Sequence, residues 1–375
     1  VIRNYKRSFA AVGVAAATAV SLVACSSDSS SDSSSADGSS AGSSEVSADG
    51  LSGTAGELVA EGASSQANAM DYFGQRYAEA VSGASLAYNS SGSGSGRRNF
   101  VADQVDFAGS DSPLDEEQVA QANERCGGND AWHLPMVIGP VAIAYNLEGV
   151  DNLNLSVQTV AEIFDGTITN WNDEKIAAEN EGTELPDQEI GVVYRSDESG
   201  TSDNFQKFLT AATDGYWATE GQQFPREVGE GAEGSGGVST QVSQIAGGVT
   251  YVESGYAAQQ GLNIANIDFG AGATELNSAN VGVALDALEF TTEGNDMVVD
   301  TDALFSQNQE GSYPLILTTY EIVCSAGYDE ETSARVKDFL NVVLQSQDST
   351  LEELGFIPVA GSHAERLQTA IDAIQ

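Results

Sequence analysis

From about residue 56, apolar positions alternate between short β-rich runs and longer stripes at helical spacing. Val105-Asp106-Phe107, Met136 to Tyr145, Ile190 to Tyr194 and Leu315 to Cys324 are expected strands. Met70, Phe73, Tyr77 and Val81 share one helix face. Phe205, Phe208 and Leu209 mark a second, and Val336, Phe339, Leu340 and Val343 a third. The alternation predicts α/β layers with mostly parallel strands, the stripes forming the core. No solenoid-length repeat interrupts it.

The first 50 residues read differently. Arg3, Lys6 and Arg7 precede an apolar stretch from Phe9 to Ala24, right for a signal-peptide core and short for a bilayer span. Leu22-Val23-Ala24-Cys25 looks like a bacterial lipobox, which predicts cleavage after residue 24 and lipidation of Cys25; the alternative is an ordinary signal peptide followed by an unmodified cysteine. Ser26 to Ser44 holds 12 serines in 19 residues and no apolar run, the composition of a flexible tether. The expected layout is a signal peptide over 1–24, a lipidated tether over 25–50, and a body hanging on the outer face of the cell membrane.

Charge narrows the partners. Acidic residues outnumber basic ones 56 to 14 in 375 residues, a net charge of -42. Losing residues 1–24 would remove three basic residues and no acidic one, leaving -45. Such a surface repels nucleic acid and anionic membranes. Two histidines and three cysteines leave no material for a Cys/His zinc site. Cys126 and Cys324 remain in the body; in an oxidising compartment they pair most simply, the alternative being two separate buried thiols.

Three segments place glycine and small hydroxyl residues directly before a helical pattern: Glu61 to Ser65, Ser90 to Gly96 leading into Arg97, and Arg195 to Thr201. A helix N-terminus exposes unpaired N–H groups and the positive end of the dipole, which together receive an oxyanion. Each alone is an ordinary N-cap; three in one α/β chain point to an anion site. The glycine-rich stretch Gly229 to Gly237 formally matches GxGxxG, but two glutamates inside it would repel a pyrophosphate, so it reads as a loop capping the next helix.

Arg195 ends an expected strand, where ligands of open α/β sheets collect, and its guanidinium can hold an oxyanion through two parallel bonds. Asp111, just past another strand, suits an anion site only if the anion brings a proton. Monohydrogen phosphate does and sulfate does not; facing sulfate, the carboxylate would meet lone pairs alone. An unmet buried polar group costs about 1–3 kcal/mol, more when charged, and sites built on such a bond reject the analogue lacking it by about 10⁴–10⁵.

Gly62 to Ser65, Val105 to Asp111 and Arg195 to Thr201 resemble the phosphate-binding stretches of a known family, the phosphate-binding lipoproteins of the phosphate-specific ABC transporter. Pro135 to Asn146, Ala161 to Trp171 and Gly248 to Tyr256 resemble it in the same order, and the sequence context looks actinobacterial. The resemblance implies a two-lobe periplasmic binding protein of type II, each lobe a mixed, mostly parallel sheet flanked by helices, joined by a two-strand hinge near Gly139-Pro140-Val141 and Thr318-Thr319-Tyr320. Lobe I would be 51–140 plus 320–375, and lobe II 141–319. The implied ligands are Ser64, the N–H of Ser65, Ser93 (with Ser91 and Ser95 as alternative registers), Asp111 accepting the phosphate proton, Arg195 oriented by Asp197, and Ser199, Gly200 and Thr201. The two body cysteines would share lobe I, which favours the disulfide.

The resemblance implies no cofactor, no metal and no enzymatic activity, and a monomer that delivers inorganic phosphate to permease subunits. The family usually has an aromatic and a proline where this chain has Ser65 and Gln66. Glu198 replaces a typical glycine and is expected to face solvent. The competing readings are a receptor for sulfate, molybdate or a phosphonate, and a lipid-anchored sensor or adhesin on the same scaffold. An enzyme lacks support: no GxSxG elbow or SxxK pair is present, His133 reads as structural, and His363 sits near the C-terminus.

Overall fold

The computed structural model describes residues 46–225 and 228–375. The expected signal peptide, Cys25 and the serine-rich stretch lie outside the described residues. Val46 packs partly against the core, and the Ser47 N–H donates to Gln345 Oε1 (2.9 Å), so the end of the expected tether already touches the body. Ser52 then bonds the buried Asp338 carboxylate through both its N–H and its hydroxyl.

The strands are β1 (Gly56–Gly62), β2 (Ala84–Asn89), β3 (Phe107–Ser110), β4 (Ala131–Asn146), β5 (Asn154–Ser156), β6 (Gly191–Arg195), β7 (Glu230–Ala232), β8 (Gly248–Glu253), β9 (Asn263–Ile264), β10 (Asn266–Asp268), β11 (Ala273–Thr274) and β12 (Ile316–Cys324). The main sheet runs β2-β1-β3-β12-β4-β8-β6-β7, with β9 also on β4, and β11-β10-β5 form a separate small sheet. Pairing is parallel on the flanks, where β1 joins β2 and β3 and β6 joins β7 and β8. It is antiparallel in the centre, where β12 and β4 carry the chain between halves. This is a two-lobe α/β fold: helices cover both faces because parallel flanks need helical crossovers.

β4 decides the architecture. Its first ten residues pair with β12 through Pro140, and from Val141 onward it pairs with β8. Pro140 lacks an N–H, which suits a residue where the ladder changes partner. The first crossover thus falls where expected. The second does not fall at Thr318-Thr319-Tyr320: β12 pairs with β4 from Ile316, and the Val141 N–H already bonds Leu315 O, so that crossing sits near Leu315. Thr319 lies well inside the strand, beside a bulge.

The helical stripes form the core. Met70, Phe73, Tyr77 and Val81 are buried from the helix Ala67–Ala80, as are Phe205, Phe208 and Leu209 from Gly200–Ala212 and Val336, Phe339, Leu340 and Val343 from Glu330–Gln345. The expected strand at Val105 starts later, at Phe107. Asp106 instead clamps β1, its N–H on Val59 O and its carboxylate on Val59 N–H (both 2.8 Å). Cys126 and Cys324 are bonded, Cα atoms 5.5 Å apart, tying the end of the helix Glu116–Arg125 to the end of β12.

Candidate anion-binding site

Every candidate ligand gathers where the two lobes meet, and the side chains of Ser64, Ser65, Ser93, Asp111, Arg195, Ser199 and Thr201 are buried. Gly62 ends β1 at φ +151°, with its missing Cβ only 1.9 Å from Gly109 O. No other residue permits that approach. It drops the chain directly into a 3-10 turn, Ser64–Gln66. Gly92, at φ +98°, starts the helix Ser93–Val101. That helix begins four residues before the expected Arg97. Gly94 and Gly96 are therefore helical, and the reason for glycine is close packing: a Cβ on Gly96 would sit 2.5 Å from Glu61 O. The three serines then point to different partners. Ser93 faces Asp111, whereas Ser91 and Ser95 both donate to Glu61 Oε1.

Asp111 is held with unequal oxygens. Oδ1 accepts from Ser65 Oγ (2.7 Å) and Thr319 Oγ1 (2.8 Å), and Oδ2 has only a long contact from Ser93 Oγ (3.3 Å). Its carbonyl accepts from Asn204 Nδ2 across the lobes (2.7 Å). Burial pushes its pKa up to about 6; Glu253's charge adds to this, while the Ser65 and Thr319 bonds and Arg195 oppose it. The carboxyl is thus a poised acceptor with one oxygen saturated and one available.

Arg195 lies at the end of β6 with its fork fully placed. Nε and Nη2 bond the two Asp197 oxygens (2.8 and 2.5 Å), and Nη1 reaches Ser235 Oγ (3.1 Å) and Thr201 Oγ1 (3.3 Å). Burial works against the guanidinium charge, but Asp197 outweighs it and raises the pKa. Asp197, itself desolvated, is lowered by the same pair and by the Gly234 N–H. Ser199 caps the helix Gly200–Ala212, its Oγ accepting from Ser202 N (3.1 Å). Gly200 packs on Asp111 and Ser93 so tightly that a Cβ would lie 2.4 Å from Ser93 Oγ. The Thr201 hydroxyl donates to the buried Glu253 Oε1 (2.8 Å), leaving its N–H as the donor at the helix end.

Three participants were not among the expected site residues. Ser235 opens the helix Gly234–Gln244; its N–H donates to Ser64 Oγ (3.0 Å) and its hydroxyl takes the Arg195 bond. The stretch read as a capping loop is in fact an edge strand, β7, followed by a helix start. Its Gly-Ser-Gly-Gly before a helical run has the same pattern as the other three segments. Glu253 and Thr319 gave no local signal, because their roles depend on strand crossing. Glu198 is only partly at the surface. Its side chain pairs with Arg98 of the opposite lobe and its carbonyl accepts from Gly94 N (3.1 Å), bridging a cavity of about 510 Å³ beside Ser112 and Asp203. His133 proves structural: Nε2 accepts from Leu114 N (3.0 Å) and Nδ1 meets Asp296 Oδ1 (2.8 Å).

Four helix starts, one charged fork and one poised carboxylate enclosed between two lobes have the chemistry to hold a small tetrahedral oxyanion. Comparison with known proteins gives the family. A family model described as a PBP superfamily domain matches residues 47–347. Phosphate-binding protein PstS 3 of Mycobacterium tuberculosis is 42% identical over 368 residues, 97% of this chain and 98% of the relative. The chain belongs to the PstS family of the PBP superfamily. A second family member, PstS 2 of the same species, is 41% identical over 376 residues, 99% of this chain and all of the relative; both are actinobacterial. Among solved structures, a phosphate-binding protein from Stenotrophomonas maltophilia superposes with TM-score 0.63 at 21% identity, covering 84% of this chain and 93% of that one. A high-affinity periplasmic phosphate-binding protein bound with phosphate gives 0.66 at 21%, with the same coverage. At that identity they establish that the PstS-family chain shares the fold.

Proposed function

We propose that this protein is an extracytoplasmic receptor for inorganic phosphate that passes the anion to the permease of an ABC transporter. The observation that supports this most directly is Asp111. Two hydroxyl donors saturate Oδ1, and the remaining oxygen sits among helix N-termini, hydroxyls and Arg195. Only a tetrahedral anion that carries a proton satisfies both the donors and that acceptor. Ser64, Ser65, Ser93, Arg195, Ser199, Gly200 and Thr201 would donate to the other oxygens, with Ser235 and Asp197 holding Arg195 in place.

Capture is a matter of closure. Lobe I (51–140 and 316–375) and lobe II (141–315) would hinge where β4 changes partner and near Leu315. Phosphate bridging Asp111 and Arg195 favours the closed arrangement through its differential affinity. The bonds that span the lobes, Ser64 to Ser235, Asn204 to Asp111 O and Ser112 to Asp203 Oδ2 (2.6 Å), belong to that arrangement. The reading is transport rather than catalysis, by a monomer anchored through lipidated Cys25, and it requires no cofactor. No described helix is long and apolar enough to cross a membrane. Calorimetric titration of the full chain with phosphate and then sulfate tests it. Tight one-to-one phosphate binding with little sulfate heat is expected; equal affinity for the two would refute the role of Asp111, and binding of neither would refute the receptor.

A further inference from the structure

Behind the anion site lies a polar cluster that the ligand set does not use. Glu321, on β12, is fully buried, and neither carboxyl oxygen has a hydrogen-bond partner. It pairs in register with Gly109 of β3 and Leu134 of β4. Gln66, the last residue of the 3-10 turn, is also fully buried. Its Nε2 donates to Tyr88 Oη (3.2 Å) and its Oε1 is unpartnered. Tyr88 has spent its own proton on Ala63 O (2.8 Å). The Gln66 amide fits over the sheet because Gly109 has no side chain: a Cβ there would lie 2.1 Å from Gln66 Nε2.

The donor count decides the protonation. Three acceptor oxygens, two on Glu321 and one on Gln66, share a buried space in which Tyr88 has no donor left. A bare carboxylate there would be a buried charge without a counterion, which proteins avoid by neutralising the group. A neutral carboxyl adds a donor for the amide oxygen while its carbonyl accepts the amide N–H, the complementary ring that acids and amides form. We propose that Glu321 is a positioning residue for phosphate: kept protonated, it pairs with the Gln66 amide and fixes the turn that presents Ser64 and Ser65. This rests on the phosphate reading above. Burial raises the Glu321 pKa well above its ordinary value. The Gln66 amide opposes this and Asp111's charge adds to it; the other titratable group facing it is Tyr88 on β2, while Leu134 on β4 is neutral.

The test compares the full chain with Glu321→Gln and Glu321→Leu. The infrared difference spectrum of wild type minus Glu321→Gln near neutral pH should contain a protonated-carboxyl C=O band. Phosphate affinity should be kept within about threefold by Glu321→Gln, which preserves a donor and an acceptor, and weakened about tenfold or more by Glu321→Leu, which orphans Gln66. Absence of the band, or wild-type affinity in Glu321→Leu, overturns the proposal. Should the leucine variant not fold, the band and thermal stability against pH still decide it. Wild type should lose stability relative to Glu321→Gln as pH rises, since a raised carboxyl pKa favours the fold only while the proton is kept; parallel curves overturn the proposal. A chain that shows the band but binds no phosphate overturns the receptor reading and the ligand named here, not the acid–amide pair.

Discussion

Replacing Asp111 by asparagine converts the discriminating acceptor into a donor at constant shape. Ser65 and Thr319 continue to donate to the oxygen at the Oδ1 position, so the new NH₂ occupies the Oδ2 position and faces the anion. A deprotonated oxyanion then gains a bond where it met repulsion. A hydrogen bond to a charged group contributes about 1.5–3 kcal/mol, and an unmet buried group costs about 1–3. Sulfate should therefore tighten by about 10²–10⁴, and the phosphate-to-sulfate ratio should shrink accordingly. The pKa of about 6 adds a sharper test. Below it Asp111 is itself a donor, so wild-type sulfate affinity should rise towards acid and fall about tenfold per pH unit above 6; sulfate titration of Asp111→Asn should be flat. The rise from 3.8 to about 6 also means that ionised Asp111 costs the ligand-free protein about 3 kcal/mol. This stability is present below the ordinary carboxylate range and lost as pH rises through 6. Ligand-free Asp111→Asn should thus outlast wild type to heat above pH ~6 and match it below ~4. The assay is isothermal calorimetry across this pH range beside thermal melts. Wild-type sulfate affinity that is flat with pH, or an asparagine variant that still rejects sulfate, would refute the reasoning.

Gly200→Ala places a methyl 2.4 Å from Ser93 Oγ and 2.5 Å from Asp111 Cβ. It should weaken phosphate by about 100-fold or more with circular dichroism unchanged, since the clash arises only when the lobes meet. Arg195→Lys surrenders the fork to Asp197 and the reach to Ser235 and Thr201. Titration should show phosphate affinity falling about 10- to 150-fold, the value of a lost charge-assisted bond. Reducing Cys126–Cys324, whose residues are 198 apart in sequence, should cost roughly 2–5 kcal/mol of stability, read as a lower Tm, without moving phosphate affinity.

The chain's local patterns determined a great deal by themselves. Apolar spacing placed the three core stripes, because a helix or strand must bury one face whatever it packs against. Glycine and hydroxyls before helical runs marked the candidate anion site, because exposed helix N–H groups are a property of the helix end alone. The proton argument at Asp111 needed only residue chemistry and strand position. What required the tertiary structure was every role set by juxtaposition. Ser235 enters the site because β7 lies beside β6 and brings the next helix start to Arg195. Thr319 reaches Asp111 from 208 residues away, because β12 runs antiparallel to β3. Gly96 is glycine for a neighbouring backbone and not for loop freedom, and Glu198 meets Arg98 only across the cleft between the lobes. Hydrogen bonding and close packing act over a few ångströms in space, and nothing in a linear sequence records which distant residues the sheet brings within that range.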